Sequence, residues 1–347
     1  MASVYPGSGN VFVRDHSATN GMVVDYSRNI EKFALNKYVQ YRTVSKEAGY
    51  YLAMDVEEAG RLTTTDGSQF VWGDGQPASE GNGETEKHEY LQYQTSRFEY
   101  PVALGDKLVD QATWDIVQQY SRMKGQQAMT NRTQQAITVL TTGANYASGH
   151  TSAVSSISGN TGTWTASTTA RQDIKRSLNF AAETILDSTL AGLELEDLIL
   201  VVSSGAAEKM SLAQEIVDHI KHSDLALAQI KGDLPGRNAI YGLPDKLYGF
   251  PVVVEKTRKT TNIRGATKSV SSVHPEASPF MAARPGSLES PEGGPTFSTC
   301  TLFLFEEMTV ETLRDLEWNR RTLVRVVDDF VAIMTSSISG FLFTSAV

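Results

Sequence analysis

The sequence predicts an α+β protein, and three observations point there. Two strand-like stretches, Gly49 to Val56 and His88 to Ala103, flank a polar segment; a helical period runs from about Asp106 to Thr142; and three β-rich runs lie near the end of the chain. With 347 residues, 40% hydrophobic and 20% charged, the chain can build one large core or two ordinary ones. This composition excludes a wholly disordered chain, a collagen and a coiled-coil rod.

Residues 1 to 45 mix the turn formers Pro6, Gly7, Asn20 and Gly21 with scattered Val11, Phe12, Val13 and Val23. No period is sustained there, which predicts an extended arm. The next two strand-like stretches predict a long hairpin. In its returning half Tyr90, Gln92, Gln94, Ser96, Phe98 and Tyr100 alternate with Leu91, Tyr93, Thr95, Arg97 and Glu99, so neither face is cleanly apolar. Such a ribbon is marginal alone and needs support, for which a neighbouring subunit is the expected source.

The helix from Asp106 shows Val109, Ala112, Ile116, Tyr120 and Met123 at three- and four-residue spacing, then a polar turn, then Ile137 and Leu140, with Gly143 as the stop. At about 1.5 Å per residue it would span roughly 50 Å, and Gly125 is its expected bend. A Ser/Thr/Gly-rich loop around Trp164 leads to a second amphipathic helix carrying Ile174, Leu178, Ala181, Ile185 and Leu186, which ends before Gly192.

Leu198 to Val202 is wholly apolar and runs into Ser203, Ser204 and Gly205, the pattern of a buried strand feeding a helix N-terminus. Helical turns are expected over 206–229, a turn-rich segment from Lys231 to Asn238, and strands at Ala239 to Tyr241 and Tyr248 to Val254. The proline-rich stretch 274–296 predicts an exposed excursion. Thr299 to Phe305, Thr309 to Leu316 and Arg321 to Thr335 read as strands, followed by the apolar tail Gly340 to Thr344.

A formal charge of −9, from 31 basic and 40 acidic residues, leaves no basic footprint for nucleic acid or an anionic membrane. A single cysteine, Cys300, excludes an internal disulfide and a thiolate zinc site. The N-terminus lacks a secretory pattern, and no uncharged apolar run is long enough to cross a bilayer, so folding in cytoplasm without a membrane partner is expected.

Catalytic signatures are missing: there is no phosphate-binding Gly-x-x-x-x-Gly-Lys loop and no nucleophile elbow. His219 and His222, beside Asp218 and Asp224, have a metal-ligand spacing but no third ligand motif, and a solvated helix face is the simpler reading. Asp66, Asp74, Glu80, Glu84 and Glu86 miss the alternating pattern of a calcium loop and read as a solvated hairpin tip. Asn131-Arg-Thr matches a glycosylation acceptor, but inside a predicted helix. No catalytic, cofactor or metal site is expected, and function is expected to lie in contacts.

Three stretches then carry a resemblance: Phe70-Val-Trp through Tyr100-Pro-Val-Ala-Leu-Gly-Asp-Lys-Leu; Gly236-Arg-Asn-Ala-Ile-Tyr-Gly with Leu247-Tyr-Gly-Phe-Pro-Val-Val-Val; and Val324-Arg-Val-Val-Asp-Asp-Phe-Val-Ala-Ile. In this order they resemble a tailed-bacteriophage major capsid protein with the Hong Kong 97 fold, from about residue 46 onward. The resemblance implies an N-arm (1–45), an extended E-loop hairpin (46–103), a P-domain with a spine helix (104–192, with strands at 301–335) and an A-domain (193–300, with the tail 336–347). It further implies hexamers and pentamers that close into an icosahedral head around double-stranded DNA, in a virion assembled in host cytoplasm. Phe70, Trp72, Lys87 and Tyr90 would make inter-subunit contacts, and Lys231, Asp233, Arg237 and Asn238 would form the loop at the capsomer axis. Lys87 has no asparagine partner between Arg320 and Phe330, so the covalent cross-link of one branch of the family is not expected. Implied partners are a separate scaffolding protein, a portal and a decoration protein. Two alternatives stand beside this: an encapsulin-type nanocompartment shell, and an α/β enzyme if the His219 and His222 region lines a pocket.

Overall fold

The computed structural model of the chain describes residues 30–54, 71–75, 88–112, 114–165, 172–221, 243–263, 265–288, 296–315 and 319–347. In chain order its strands are β1 (Val39–Thr43), β2 (Ala48–Met54), β3 (His88–Gln94), β4 (Ser96–Gly105), β5 (Thr151–Ala153), β6 (Leu198–Ser203), β7 (Lys246–Leu247), β8 (Phe250–Glu255), β9 (Arg258–Thr260), β10 (Val270–Ser272), β11 (Phe280–Ala283), β12 (Cys300–Asp315), β13 (Arg321–Met334) and β14 (Phe341–Thr344). The α-helices among the described residues are α1 (Asp106–Gln111), α2 (Ile116–Leu140), α3 (Asp173–Thr189), α4 (Ser204–Ser211) and α5 (Gln214–Lys221).

Two sheets organise these elements. The four-stranded sheet has the order β1-β12-β13-β4 and is antiparallel except that β1 runs parallel to β12. The six-stranded sheet has the order β5-β14-β11-β6-β8-β7, with β5/β14 and β6/β8 parallel. The ribbons β2-β3 and β9-β10 are each two-stranded.

Alternation along β6 explains its continuous apolar run. Leu198, Leu200 and Val202 join one core cluster with Ile174, Leu178, Ala181 and Ile185 of α3. Ile199 and Val201 join a second cluster with Ala136, Ile137 and Leu140 of α2. A strand covered on both faces has no polar side to show. The second cluster also contains Cys300, Leu302 and Leu304 of β12 and Phe330 of β13, so α2 ties the two sheets together.

Several expectations are corrected. The helix predicted over 106–142 is two helices, α1 ending at Gln111 and α2 beginning at Ile116, and Asp115 caps α2 by accepting from the Gln118 amide at 2.8 Å. From there α2 runs unbroken through Gly125. Met123, counted in the apolar stripe, is 48% exposed; the buried face is Gly125, Ala128, Met129, Arg132, Thr133, Ala136, Ile137 and Leu140. Val109, Ala112 and Tyr120 instead pack around Leu108 and Ile116 against Val102, Leu104 and Val324.

The predicted excursion at 274–296 contains β11, whose four residues are fully buried between β6 and β14. Pro275, Pro279 and Pro285 lie outside the ends of the strand, where a missing amide costs no ladder bond. The runs predicted at Thr299 to Phe305 and Thr309 to Leu316 fall on one long strand, β12 (Cys300–Asp315), rather than two, with register shifts between Leu304 and Thr309 absorbing the residues that broke the pattern. The stretch from His88 is two strands. Thr95 separates β3, which pairs with β2, from β4, which pairs with β13. Within the predicted arm, Phe33, Leu35, Tyr38 and Val39 are buried in the second cluster, because β1 adds to the edge of β12. The expected strand at Ala239 to Tyr241 lies outside the described residues.

Candidate assembly surface

Period-two alternation in β2-β3 places Gly49, Tyr51, Leu91 and Tyr93 on one face and Tyr50, Leu52, Tyr90 and Gln92 on the other. The first face sits on the chain's own four-stranded sheet. The Tyr93 ring stacks on Phe303 with centroids 4.8 Å apart, Tyr51 lies 5.7 Å from the same ring, and the Tyr51 hydroxyl donates to the Met334 carbonyl at 3.2 Å. Phe303 points opposite to its strand neighbours Leu302 and Leu304, so the hairpin base covers the sheet face turned away from α2. Gly49 permits this seating, since a β-carbon there would lie 2.6 Å from the Tyr93 hydroxyl. The hairpin base therefore has a support within its own chain, which the alternation alone did not reveal.

The second face is open. Tyr50, Leu52 and Tyr90 are 68%, 45% and 71% exposed, and Leu52 and Tyr90 are direct cross-strand partners. Single exposed apolar residues are ordinary, but a contiguous group of them marks a contact surface. Of the residues nominated from sequence, Tyr90 belongs to this face, and Trp72, in the described segment 71–75, is 70% exposed. Phe70, Lys87, Lys231, Asp233, Arg237 and Asn238 lie outside the described residues, as do His222 and the His219 side chain. Among the described residues no three His, Cys, Asp or Glu side chains converge on a possible ion site, and no helix is long and apolar enough to cross a membrane.

Behind the surface, a buried ion pair fixes α2 to β13. Arg132 Nε donates to Asp328 Oδ2 at 2.8 Å and Nη2 to Oδ1 at 2.6 Å, a bidentate pair in which the side chains are 8% and 0% exposed. Burial alone would lower the Arg132 pKa; the hydrogen bonds and charge of Asp328 outweigh it and hold the guanidinium charged. The adjacent Asp329 faces the other side of the sheet, with Arg97 Nε at 3.5 Å. Nearby, Asn131 Nδ2 donates to the Tyr100 hydroxyl at 2.7 Å, and burial pushes that phenol up to about 12.

A second buried carboxylate, Glu255, accepts from the Tyr38 hydroxyl at 2.9 Å, the Thr257 amide at 2.9 Å and the Thr257 hydroxyl at 2.6 Å. Burial and then Glu255 raise the Tyr38 phenol well above its ordinary value, so it remains a donor. Glu215, on α5, accepts from the amides of Ile174 and Lys175 at 2.9 and 3.0 Å, placing a carboxylate on the N-terminus of α3.

His274 stacks on Phe280 at 5.3 Å with Nδ1 directed at the Pro275 carbonyl, while Nε2 is buried with no partner among the described residues. Burial lowers its pKa to about 4, so the folded protein holds it neutral. The unfolded chain takes up this proton near the ordinary value of about 6.5. The sign follows: the contribution is full above about pH 6.5 and is lost as pH falls toward 4, amounting to at most about 3 kcal/mol. Urea unfolding of wild type and His274→Gln between those pH values should show a steeper acid loss in wild type. Equal slopes would rule His274 out as the titrating group.

No family model matches the chain, and no curated protein matches it. Solved structures do. A phage-related protein from Bordetella bronchiseptica RB50 aligns with a TM-score of 0.59 at 14% identity over 96% of each chain. The capsid of cyanophage P-SCSP1u gives 0.57 at 14% identity, and the mature capsid of bacteriophage PhiM1 gives 0.55 at 12%, each covering 93% of this chain and 90% of that one. At such identities the likeness speaks to backbone architecture, and that architecture, an α+β chain with two sheets joined through α2, is the Hong Kong 97-type capsid fold.

Proposed function

We propose that this chain is the major capsid protein of a tailed phage, whose copies form hexamers and pentamers that close into an icosahedral shell around double-stranded DNA. The observation that carries this function is the extent of the fold match, about nine-tenths or more of both this chain and the capsid subunits, which is too much for one shared motif. The open face of Tyr50, Leu52 and Tyr90 supports it, because an apolar ribbon face of this kind gains stability by burial against another copy. The role is structural rather than catalytic. With a formal charge of −9, the shell would confine its DNA rather than grip it.

In this assembly residues 1–45 act as N-arm and 46–103 as E-loop, and the last strand of each segment, β1 and β4, enters the P-domain sheet. The four-stranded sheet and α2 form the peripheral P-domain, and the six-stranded sheet forms the A-domain around the capsomer axis. β5 and α3, which pack with the six-stranded sheet, go with the axial half. Scaffolding, portal and decoration proteins are its partners, and the mature location is the virion, assembled in host cytoplasm.

Size-exclusion chromatography with light scattering, followed by electron microscopy of the purified protein, should show capsomers and shells. A monomer under every salt and crowding condition would defeat the proposal.

A further inference from the structure

The ribbon β9-β10 is basic in an acidic chain. Residues 256–273 contain no acidic residue, although the formal charge of the whole is −9. Asn262 holds the ribbon in shape, its Oδ1 accepting from the Ser269 amide at 3.0 Å and its Nδ2 donating to the Thr267 carbonyl. Period two puts Arg258 and Val270 on one face and Lys259 on the other. Arg258 and Lys259 meet neutral groups: Arg258 Nη2 donates to Ser204 Oγ at 2.7 Å, and Lys259 Nζ to Gln134 Oε1 at 2.6 Å. Lys268 is exposed, and among the described residues no carboxylate pairs with any of these three cations. Beside them Ile263 is 85% and Val270 50% exposed.

A complementary surface lies on α3 and the turn that follows it. Residues 177–197 contain five acidic residues and no basic one. Three- and four-residue spacing puts Phe180, Glu183 and Asp187 on one exposed stripe of α3, and Leu190 and Glu194 beyond its end are exposed too. Arg176, one turn earlier, donates instead to the Gly159 carbonyl, and among the described residues no cation pairs with Glu183, Asp187 or Glu194. Asp187 also stands in the last turn of α3, where the negative end of the helix disfavours a carboxylate and no basic residue of that turn offsets it. The stripe thus lacks a cation just as the ribbon lacks an anion.

The two surfaces are rooted on opposite faces of the six-stranded sheet. α3 packs on the face that carries Leu198, Leu200 and Val202 of β6, whereas the ribbon reaches Gln134 of α2, which packs on the face of Ile199 and Val201. This placement suits a head-to-tail contact, in which each copy gives its ribbon to one neighbour and its stripe to another, the arrangement that closes into rings. We propose that the β9-β10 ribbon of one copy docks on the α3 stripe of a second, with Arg258 and Lys268 meeting Glu183 and Asp187 while Ile263 and Val270 meet Phe180 and Leu190. This rests on the self-assembly proposed above. Opposite charges set the register and speed the encounter, and salt weakens the contact.

The test uses the full chain as wild type, R258E/K268E, E183K/D187K and a quadruple chain carrying all four substitutions. Ser204 can donate to a carboxylate at position 258, and the α3 stripe is exposed, so circular dichroism should be unchanged in each. Either double substitution should raise the concentration needed for half-assembly, read by light scattering, by about tenfold or more, because like charges then face each other. Mixing the two altered chains should restore assembly, since opposite charges meet wherever the chains alternate. A five-membered ring cannot alternate, so electron microscopy of the mixture should show sixfold rings recovered ahead of fivefold ones, whereas the quadruple chain should restore both. If wild type does not assemble, the self-assembly function falls and this contact with it. Wild-type assembly with either double variant equally competent would overturn the contact and leave self-assembly standing; if R258E/K268E shells then retained less duplex DNA, the ribbon would be a nucleic-acid contact instead. Rescue by the quadruple chain without rescue by mixing would place the charges within one subunit, against the proposal. Loss in both double variants with rescue by neither route would show that these charges do not pair.

Discussion

Replacing Asp328 by alanine is expected to destabilise the subunit by about 3 to 5 kcal/mol, because it leaves the Arg132 guanidinium buried without its counter-charge. The guanidinium cannot easily escape. Its carbon lies 5.6 Å from the Phe330 ring centroid and 5.8 Å from that of Tyr41, so apolar groups close the remaining sides. Losing its proton instead is no remedy, since an arginine far above neutral pH in pKa stays charged. The double substitution of Arg132 by methionine and Asp328 by leucine should recover most of the loss, since both desolvated charges go together. Urea unfolding of the single and double variants measures the coupling directly. An Asp328→Ala chain within about 1 kcal/mol of wild type would show that water reaches the pair and that it does not hold α2 to β13.

This pair also shows where the sequence stopped being legible. Arg132 falls in what reads as a polar turn within the helix, because a buried arginine breaks the apolar period just as an exposed one does. Only its partner distinguishes the two cases, and Asp328 is 196 residues away. The signal available in advance was a pair of acids, Asp328 and Asp329, inside an otherwise apolar strand. In a strand, adjacent residues face opposite sides, so two acids require two separate explanations. Glu255 is hidden in the same way, at the end of an apolar strand and satisfied by Tyr38 from a segment that reads as an arm.

Elements whose environment is uniform along their length were readable. β6 is apolar throughout because helices and sheet cover both faces, and α3 shows a clean stripe because only one face is buried. Ser203 reads as an N-cap and is one, accepting from the Ala206 amide at 3.1 Å. Elements that change partner were not readable. β3 and β4 look like one strand, since period two continues across Thr95 while the pairing passes from β2 to β13. β11 is short and bracketed by prolines, so its local chemistry spells loop while its tertiary position is the centre of a sheet. Of the surface residues, Tyr90 and Trp72 could be nominated from the resemblance, but Phe303, which orients the whole hairpin base, sits in a distant strand that shows nothing unusual.

Phe303→Ala is expected to release that base while leaving the two main cores intact. Phe303 is 1% exposed and belongs to neither core cluster, because it faces away from α2. Large-to-small replacement of a buried phenylalanine costs about 3 to 5 kcal/mol, part of which here is the stacking of Tyr93 and Tyr51. The loss is local. A two-stranded ribbon without a surface to rest on is marginal, so the amides of β2 and β3 should exchange with solvent much faster, whereas those of β6 and β11 should keep their protection. Assembly should fail at wild-type concentrations, since Tyr50, Leu52 and Tyr90 can be presented to another copy only while their opposite face is anchored. Phe303→Leu keeps much of the volume but not the ring stacking and should fall between the two. If exchange in β2 and β3 were unchanged in Phe303→Ala, the hairpin would be held by something other than its own sheet, and the orientation of its open face would need another cause.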